Sequence, residues 1–287
     1  MSNARAIWLM VAAMAAFAVC DMFLKLSART LGVGQVAVLL AAGVAVIFWI
    51  ALYREGGRLI APELRNRAFL IRCAGEVIAT TCVTVALSLI PIVTFSSIIQ
   101  AQPLAVTLGA AIFLRERVGW RRWLSIFVGF LGVLIVLRPG AGDFEPAALW
   151  ALAGVLGMTT RDLATRALPK SVSTVFAATW ALLAVMAAGA VLVPFTGGWQ
   201  PIDGITAVWV AGMILSGALA YLSITLAMRT GEVSAIASFR YTRIVFAMLI
   251  GYIVFAERPD LWVWVGTVVI VISGIYTLAR ERAAARA

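Results

Sequence analysis

The chain has no histidine, and only 13 of its 287 residues are acidic. Without imidazole there is no histidine-based zinc site, no histidine-ligated haem and no Ser-His-Asp triad. No G-x-x-x-x-G-K-S/T loop is present to cradle the phosphates of ATP, which argues against a primary pump. The three cysteines, Cys20, Cys73 and Cys82, lie inside apolar runs. They form no thiolate cluster and no disulfide framework, and read as small buried hydrophobes. Neither an enzyme nor a metal or cofactor is expected from this inventory. Charge is scarce as well. Charged residues make up 13% of the chain and hydrophobic ones 63%, with a mean hydropathy of +1.02. Soluble domains carry about 45–50% apolar and about 25% charged residues. A water-soluble fold of this size could not hide so much apolar surface, so lipid must be the solvent.

A membrane helix needs about 20 apolar residues to cross ~30 Å of hydrocarbon. Hydropathy marks ten such spans, the first five over residues 7–28, 34–53, 68–90, 92–114 and 120–137. The other five cover 146–168, 171–194, 205–228, 233–256 and 261–279. The first carries Asp21 and Lys25, lacks a convincing cleavage site, and reads as a retained helix, not a signal peptide. Pro91 fits the opening of a helix. Pro139, Gly140 and Gly142 punctuate the middle of the chain. The formal net charge of +10 comes from basic loops, with no basic and aromatic stretch to grip nucleic acid. With the N-terminus inside, fifteen Lys and Arg fall on the inner side and three (Arg29, Arg138, Arg258) on the outer, the other five lying within spans. That asymmetry predicts an even number of spans, both termini in the cytoplasm and a multi-pass protein of the inner membrane. Trp8, Trp49, Trp120, Trp123, Trp150, Trp209, Trp262 and Trp264 fall near span ends, where indole favours the interface. Trp180 sits inside a span.

Residues 141 positions apart match without a gap: Asp21 with Asp162, Lys25 with Arg166, Glu116 with Glu257, Arg117 with Arg258, and Trp123 with Trp264. The halves, residues 1–141 and 142–287, read as copies. Each holds five spans, an odd number, so the second copy is threaded upside down. Such inverted repeats suit alternating access around a midplane site. Leu114-Arg115-Glu116-Arg117 and Phe255-Ala256-Glu257-Arg258 close the fourth and ninth spans, and Gly129-Phe130-Leu131-Gly132 lies in a tryptophan-led fifth span. With these motifs the chain resembles the drug/metabolite transporter superfamily, and within it the EamA-type exporters, which include aromatic amino-acid exporters. The resemblance implies an all-α membrane protein of ten helices in two inverted five-helix repeats. It covers nearly the whole chain and names no substrate. One departure is Ile244, which stands where Pro103 stands in the first half.

Charge at bilayer depth is costly and faces a partner or a wet cavity. Asp21 with Lys25, and Asp162 with Arg166, are i,i+4 pairs. They read either as symmetry-related gates or as local neutralisation near helix ends, with Lys25 and Arg166 snorkelling to water. Arg72, Glu76 and Thr80 form one stripe, with Glu76 the candidate proton-titrating group. Arg240 and Arg243 share a face. The guanidinium of Arg243 would either hold a substrate carboxylate or bridge to Glu76. Pro103 leaves the carbonyl of Ile99 without a donor, and freed backbone at this depth persists only beside protein or water. Gln100 and Tyr241 match at the 141 offset. A polar cavity is therefore expected to be lined by Glu76, Thr80, Ser96, Gln100, Tyr221, Tyr241 and Arg243. Trp180 serves there as a stacking wall or simply as helix packing.

The function expected is secondary transport of a small organic metabolite, most plausibly amino-acid export, by a chain able to act as a monomer. Five intramembrane bases against three acids favour an anionic group on the substrate. The alternative is export of lipophilic or quaternary cations by proton antiport. A channel would show repeated carbonyl or charge rings, and none is visible.

Overall fold

The computed structural model describes residues 3–54, 62–115, 119–139, 145–169, 172–230 and 237–286. Glu116, Arg117, Gly140, Gly142 and the expected start of the ninth span at Val233 lie outside them. The described residues are helical, with no strand among them. In chain order the helices are α1 (Asn3–Ser27), α2 (Val33–Arg54), α3 (Arg67–Leu89), α4 (Ile92–Ile99), α5 (Gln102–Phe113) and α6 (Trp120–Leu137). They continue as α7 (Ala148–Arg166), α8 (Thr174–Leu192), α9 (Gly204–Thr230), α10 (Arg243–Phe255) and α11 (Leu261–Arg286). Eight stretches are long and apolar enough to cross a membrane, the α4–α5 stretch Ile92–Phe113 counting as one, and Trp123–Leu137 is a shorter apolar helix. The protein is a multi-pass membrane protein. The expected sixth span, α7, falls short of that hydropathy because Thr159, Thr160, Arg161, Asp162, Thr165 and Arg166 crowd its last eight residues.

Two expected spans depart from a continuous α-helix. The fourth breaks at Gln100 and Ala101, where the N–H of Ala101 turns to the carbonyl of Ile98 at 3.0 Å. Pro103 cannot donate and its ring crowds the preceding turn, so the helix restarts as α5. In the ninth, the described residues form a 3₁₀ turn over Ala237–Thr242 that passes into α-helix at Arg243. Ile244 stands where a proline would be, so here the irregular stretch is built without one.

The helices gather into two compact units. One holds Met1–Met22, Ile90–Ala148 and Ser216–Ala287, and the other Phe23–Leu89 and Leu149–Leu215. Each unit draws on both halves of the chain.

In the first unit α6 packs along α11. Gly132 and Gly266 face one another there, and a Cβ on either would meet the other's carbonyl oxygen within 3.0 Å. Lipid tails supply no hydrophobic drive between helices, so close backbone approach and polar contacts hold such seams. The hydroxyls of Ser125 and Thr277 meet at 2.7 Å, and Thr267 donates to Ser97 at 2.7 Å. The start of α4 is capped from a distance. Ala256 ends α10 in the left-handed region (φ 53°), a conformation costing an L-residue roughly 1–2 kcal/mol. That turn aims Glu257 at α4. Its carboxylate accepts the N–H of Ile92 at 2.9 Å and of Val93 at 3.1 Å. These are orphan donors of a helix N-terminus, where a negative charge is favoured. Asp260 caps α11 through the N–H of Val263 at 2.9 Å and pairs with Arg138. Partial burial pushes its carboxyl up, but those hydrogen bonds and the guanidinium outweigh it and hold the group below its ordinary range.

In the second unit α8 packs against α2 and α3. Gly34 lies against Gly189, and Gly75 against Gly157 and the backbone of Arg161. Gln35 and the backbone of Gln200 exchange two hydrogen bonds, at 2.9 and 2.8 Å, bracing the loop before α9. Asp203 caps α9 by accepting the N–H of Thr206 at 2.7 Å. Hydrogen bonds from Thr206 keep its carboxyl below the usual range.

Substitutions at Glu257, Gly157 and Gly204 test this packing by thermal unfolding in detergent. Glu257→Ala removes both caps of α4 and is expected to cost about 2–3 kcal/mol, whereas Glu257→Gln keeps one acceptor and loses less. Gly157→Ala would set a Cβ 2.5 Å from the backbone nitrogen of Ala79 and should lower the midpoint by several degrees. Gly204→Ala, with nothing within 4 Å, should leave it unchanged.

Candidate functional site

Helix irregularity gathers polar groups in the first unit. The Nε2 of Gln100, at the α4 break, donates to the carbonyl of Tyr241 at 3.0 Å. The two residues matched across the repeat therefore touch, and each lies where its span is not α-helical. The hydroxyl of Tyr241 rests against α11 at Gly274, where a Cβ would lie 1.7 Å from that oxygen; only glycine admits the ring. Ser96 is buried one turn before the break. The Oγ of Ser96, the Oη of Tyr241 and the Nε of Arg243 are buried and find no hydrogen-bond partner among the described residues. Three such groups in one region are unusual, because a buried unsatisfied polar atom costs about 1–3 kcal/mol.

Arg243 opens α10, and its Nη2 donates to the Oδ2 of Asp21 on α1 at 2.5 Å. The exposures of the two side chains are 13% and 7%. The ring of Phe17, one turn before Asp21, covers the guanidinium at 5.3 Å, a cation–π contact. Nε and Nη2 form the edge that grips a carboxylate side-on, and here half of that edge is used. The sequence offered Glu76 as a salt-bridge partner for Arg243; the structure pairs Arg243 with Asp21, 222 positions away in sequence. Tyr221, on α9, belongs to this unit too.

The second unit holds Glu76, Thr80, Trp180, Lys25, Asp162 and Arg166. Arg161 joins two of them, its Nη1 reaching Glu76 at 3.2 Å and its Nε reaching Asp162 at 2.8 Å. Arg72 is buried; its Nε donates to the hydroxyl of Thr165 at 3.1 Å and its Nη1 to the carbonyl of Ala177 at 2.6 Å. Arg72 is thereby held inside the protein. Trp180 packs against Leu52, Phe69, Phe176 and Ala177, the packing role foreseen for it. Thr80 accepts the hydroxyl of Thr84 through its carbonyl at 2.8 Å. Lys25 is half-buried, and Arg166 is exposed at the end of α7.

The bridging role of Arg161 was not legible from sequence, where the i,i+4 rule pointed from Asp162 to Arg166. The signal that bears on it is the pair Gly75 and Gly157, small residues that let α3 and α7 approach closely. Among the described residues no group of three or more His, Cys, Asp or Glu could hold a metal ion. The site is one of hydrogen-bond donors, paired charges and aromatic faces.

Comparison with known proteins bears on what such a site serves. A family model described as the EamA-like transporter family matches residues 4–138 and again residues 145–279. A riboflavin transporter of Vibrio cholerae is 27% identical over 275 residues, covering 93% of this chain and 90% of that one. A riboflavin transporter of Brucella anthropi is 26% identical over 298 residues, covering 96% and 99%. An S-adenosylmethionine uptake transporter of Rickettsia bellii is 25% identical over 204 residues, covering 70% and 68%. A solved crystal structure shares the fold with a TM-score of 0.66 at 16% identity, over 98% of this chain and 99% of that chain. Matched along both of its halves, the chain belongs to the EamA-like transporter family, within the drug/metabolite transporter superfamily.

Proposed function

We propose that this protein is a secondary carrier for a small metabolite that combines a planar heteroaromatic ring with hydroxyl groups. In this reading the residues 1–141 and 142–287 are two five-span copies threaded in opposite senses, ten crossings in all. Both termini face the cytoplasm across the inner membrane, and one chain completes the carrier. The observation that carries the reading is the set of buried, unpartnered donors and acceptors, Ser96 Oγ, Tyr241 Oη and Arg243 Nε, beside two non-α stretches. Backbone and side-chain groups left unsatisfied at bilayer depth have reason to persist where a polar solute completes them. The relatives support the same chemistry, since riboflavin and S-adenosylmethionine each join a heteroaromatic ring to a hydroxylated chain or ribose. Gln100 would read a hydroxyl, and Tyr221 and Tyr241 would present aromatic faces.

Amino-acid export, the finer expectation from sequence, rested on a surplus of intramembrane base and a free guanidinium fork at Arg243. Asp21 occupies Arg243, and Glu76 and Asp162 occupy Arg161. The net excess of two bases stands, but the guanidinium of Arg243 is not a free fork, and a substrate carboxylate has less to gain there. Lipophilic cations find no unpaired acid in the pairs Asp21–Arg243 and Glu76–Arg161.

The deciding experiment is counterflow in liposomes holding the purified chain, preloaded in turn with riboflavin, S-adenosylmethionine, phenylalanine and a lipophilic cation. Saturable exchange of riboflavin or S-adenosylmethionine is expected; exchange of phenylalanine or the cation alone would overturn the reading. Ser96→Ala and Tyr241→Phe should each weaken solute affinity about two- to tenfold, the worth of one hydrogen bond. Their thermal midpoints should stay the same or rise, because each removes an unsatisfied polar atom. Arg243→Lys keeps the charge but loses the planar fork, and should impair transport while the protein still inserts; unchanged affinity would remove Arg243 from the site.

A further inference from the structure

An apolar groove of about 420 Å³ on α3 and α8, lined by Val77, Ile78, Thr81, Cys82, Ala188, Val191 and Leu192, faces outward in a chain whose solvent is lipid. The Glu76–Arg161–Asp162 cluster is balanced: Arg161 serves both acids, and Arg72 stands one helical turn from Glu76 on α3. The Asp21–Arg243 pair is different. Asp21 is seven residues from the end of α1 counting inclusively, which places it about 9 Å from that end at ~1.5 Å per residue. It is the driest of the three intramembrane acids, with its side chain 7% exposed against 18% for Glu76 and 27% for Asp162.

Arg243, from α10, is the charged group that faces Asp21. The other titratable neighbour is Cys20 on α1, whose thiol hydrogen-bonds with Ser216 of α9. Lys25 lies one turn further along α1, and Arg240 and Tyr241 precede Arg243 in the 3₁₀ turn. Arg243 is also one of the groups with a spare buried donor, its Nε. These two facts are linked. If the guanidinium swings to complete its fork on a solute, Asp21 is left as a buried, unpaired anion. Breaking a buried pair on one side only costs about 3–5 kcal/mol. A proton from water, binding a carboxylate oxygen of Asp21, removes that cost, while the guanidinium keeps its own charge.

We propose that Asp21 is the proton-binding acid of this carrier, taking up one proton when Arg243 turns from it to a bound solute. The proposal rests on the transport reading above and gives it a coupling group: solute and proton share a binding state. It assigns to Asp21 the role that sequence alone pointed to Glu76. The sign follows from linkage. The solute-bound state holds one more proton than the empty state, so binding strengthens as pH falls, by about tenfold per pH unit across the window in which Asp21 titrates.

The test has a part that needs no solute. Infrared difference spectra of the full-length protein between alkaline and strongly acidic buffer should show a buried carboxylic acid band, since enough acid protonates Asp21 even while Arg243 faces it. The band should persist in Glu76→Gln and vanish in Asp21→Asn. Because Asp21→Asn strands the charge of Arg243 and threatens folding, the neutral double variant Asp21→Asn with Arg243→Gln serves as the second probe and should lack the band too. A band lost in Glu76→Gln but kept in the double variant overturns the proposal, as does a wild-type protein with no titrating buried carboxyl. Riboflavin affinity should then follow pH with a slope near one in wild type and Glu76→Gln, and a pH-independent wild type would overturn the coupling. If the Asp21 band titrates and riboflavin is not carried, the substrate reading fails while the proton site stands.

Discussion

Hydrocarbon offers no hydrogen bonds, and the structure of this chain follows from that constraint. Every backbone group in a span must find its partner inside the protein, which is why the described residues are helical almost throughout. Two places among the described residues where the α-helical pattern lapses within a span, at Gln100–Ala101 and at Ala237–Thr242, are therefore informative. There, side-chain amide meets backbone carbonyl through Gln100 and Tyr241, and hydroxyls and a guanidinium nitrogen lie buried nearby. The same constraint explains Glu257. A helix that starts at Pro91 with no side-chain cap of its own needs its first N–H groups satisfied, and a carboxylate from the α10–α11 connection does it.

Association of the helices cannot draw on the hydrophobic effect within lipid, so it relies on fit. Glycine pairs do this in both units: Gly132 with Gly266, Gly34 with Gly189, and Gly75 with Gly157. Each lets two backbones come closer than any side chain would allow. The close approach then sets which polar groups can reach one another. Arg161 stands one turn beyond Gly157 on α7 and reaches Glu76, the neighbour of Gly75 on α3.

Two of the buried acids are paired across helices, Asp21 with Arg243 and Glu76 with Arg161, while Asp162 pairs with its own neighbour Arg161 on α7. A pair formed between helices responds to their relative motion, whereas a pair within one helix does not. For a carrier that must pass between two states, the first kind is the useful one, since its loss and gain can be tied to a solute or a proton.

Composition alone determined that the protein lives in a bilayer, because 63% apolar and 13% charged residues permit no other solvent. Hydropathy located the helices to within a few residues, and Pro103 announced the break between α4 and α5, since a missing N–H acts locally. Ser96, Gln100, Tyr241 and Arg243 could be named in advance because polar residues in apolar runs are conspicuous. Tertiary structure decided what these residues touch. The i,i+4 rule sees one helix at a time, so it offered Lys25 to Asp21 and Arg166 to Asp162. It could not see Arg243, 222 positions from Asp21, or the 3₁₀ turn before α10, which no proline marks. Partner choice for a buried charge is set by distances between helices, and those distances come from glycine contacts that have no meaning until the helices are packed.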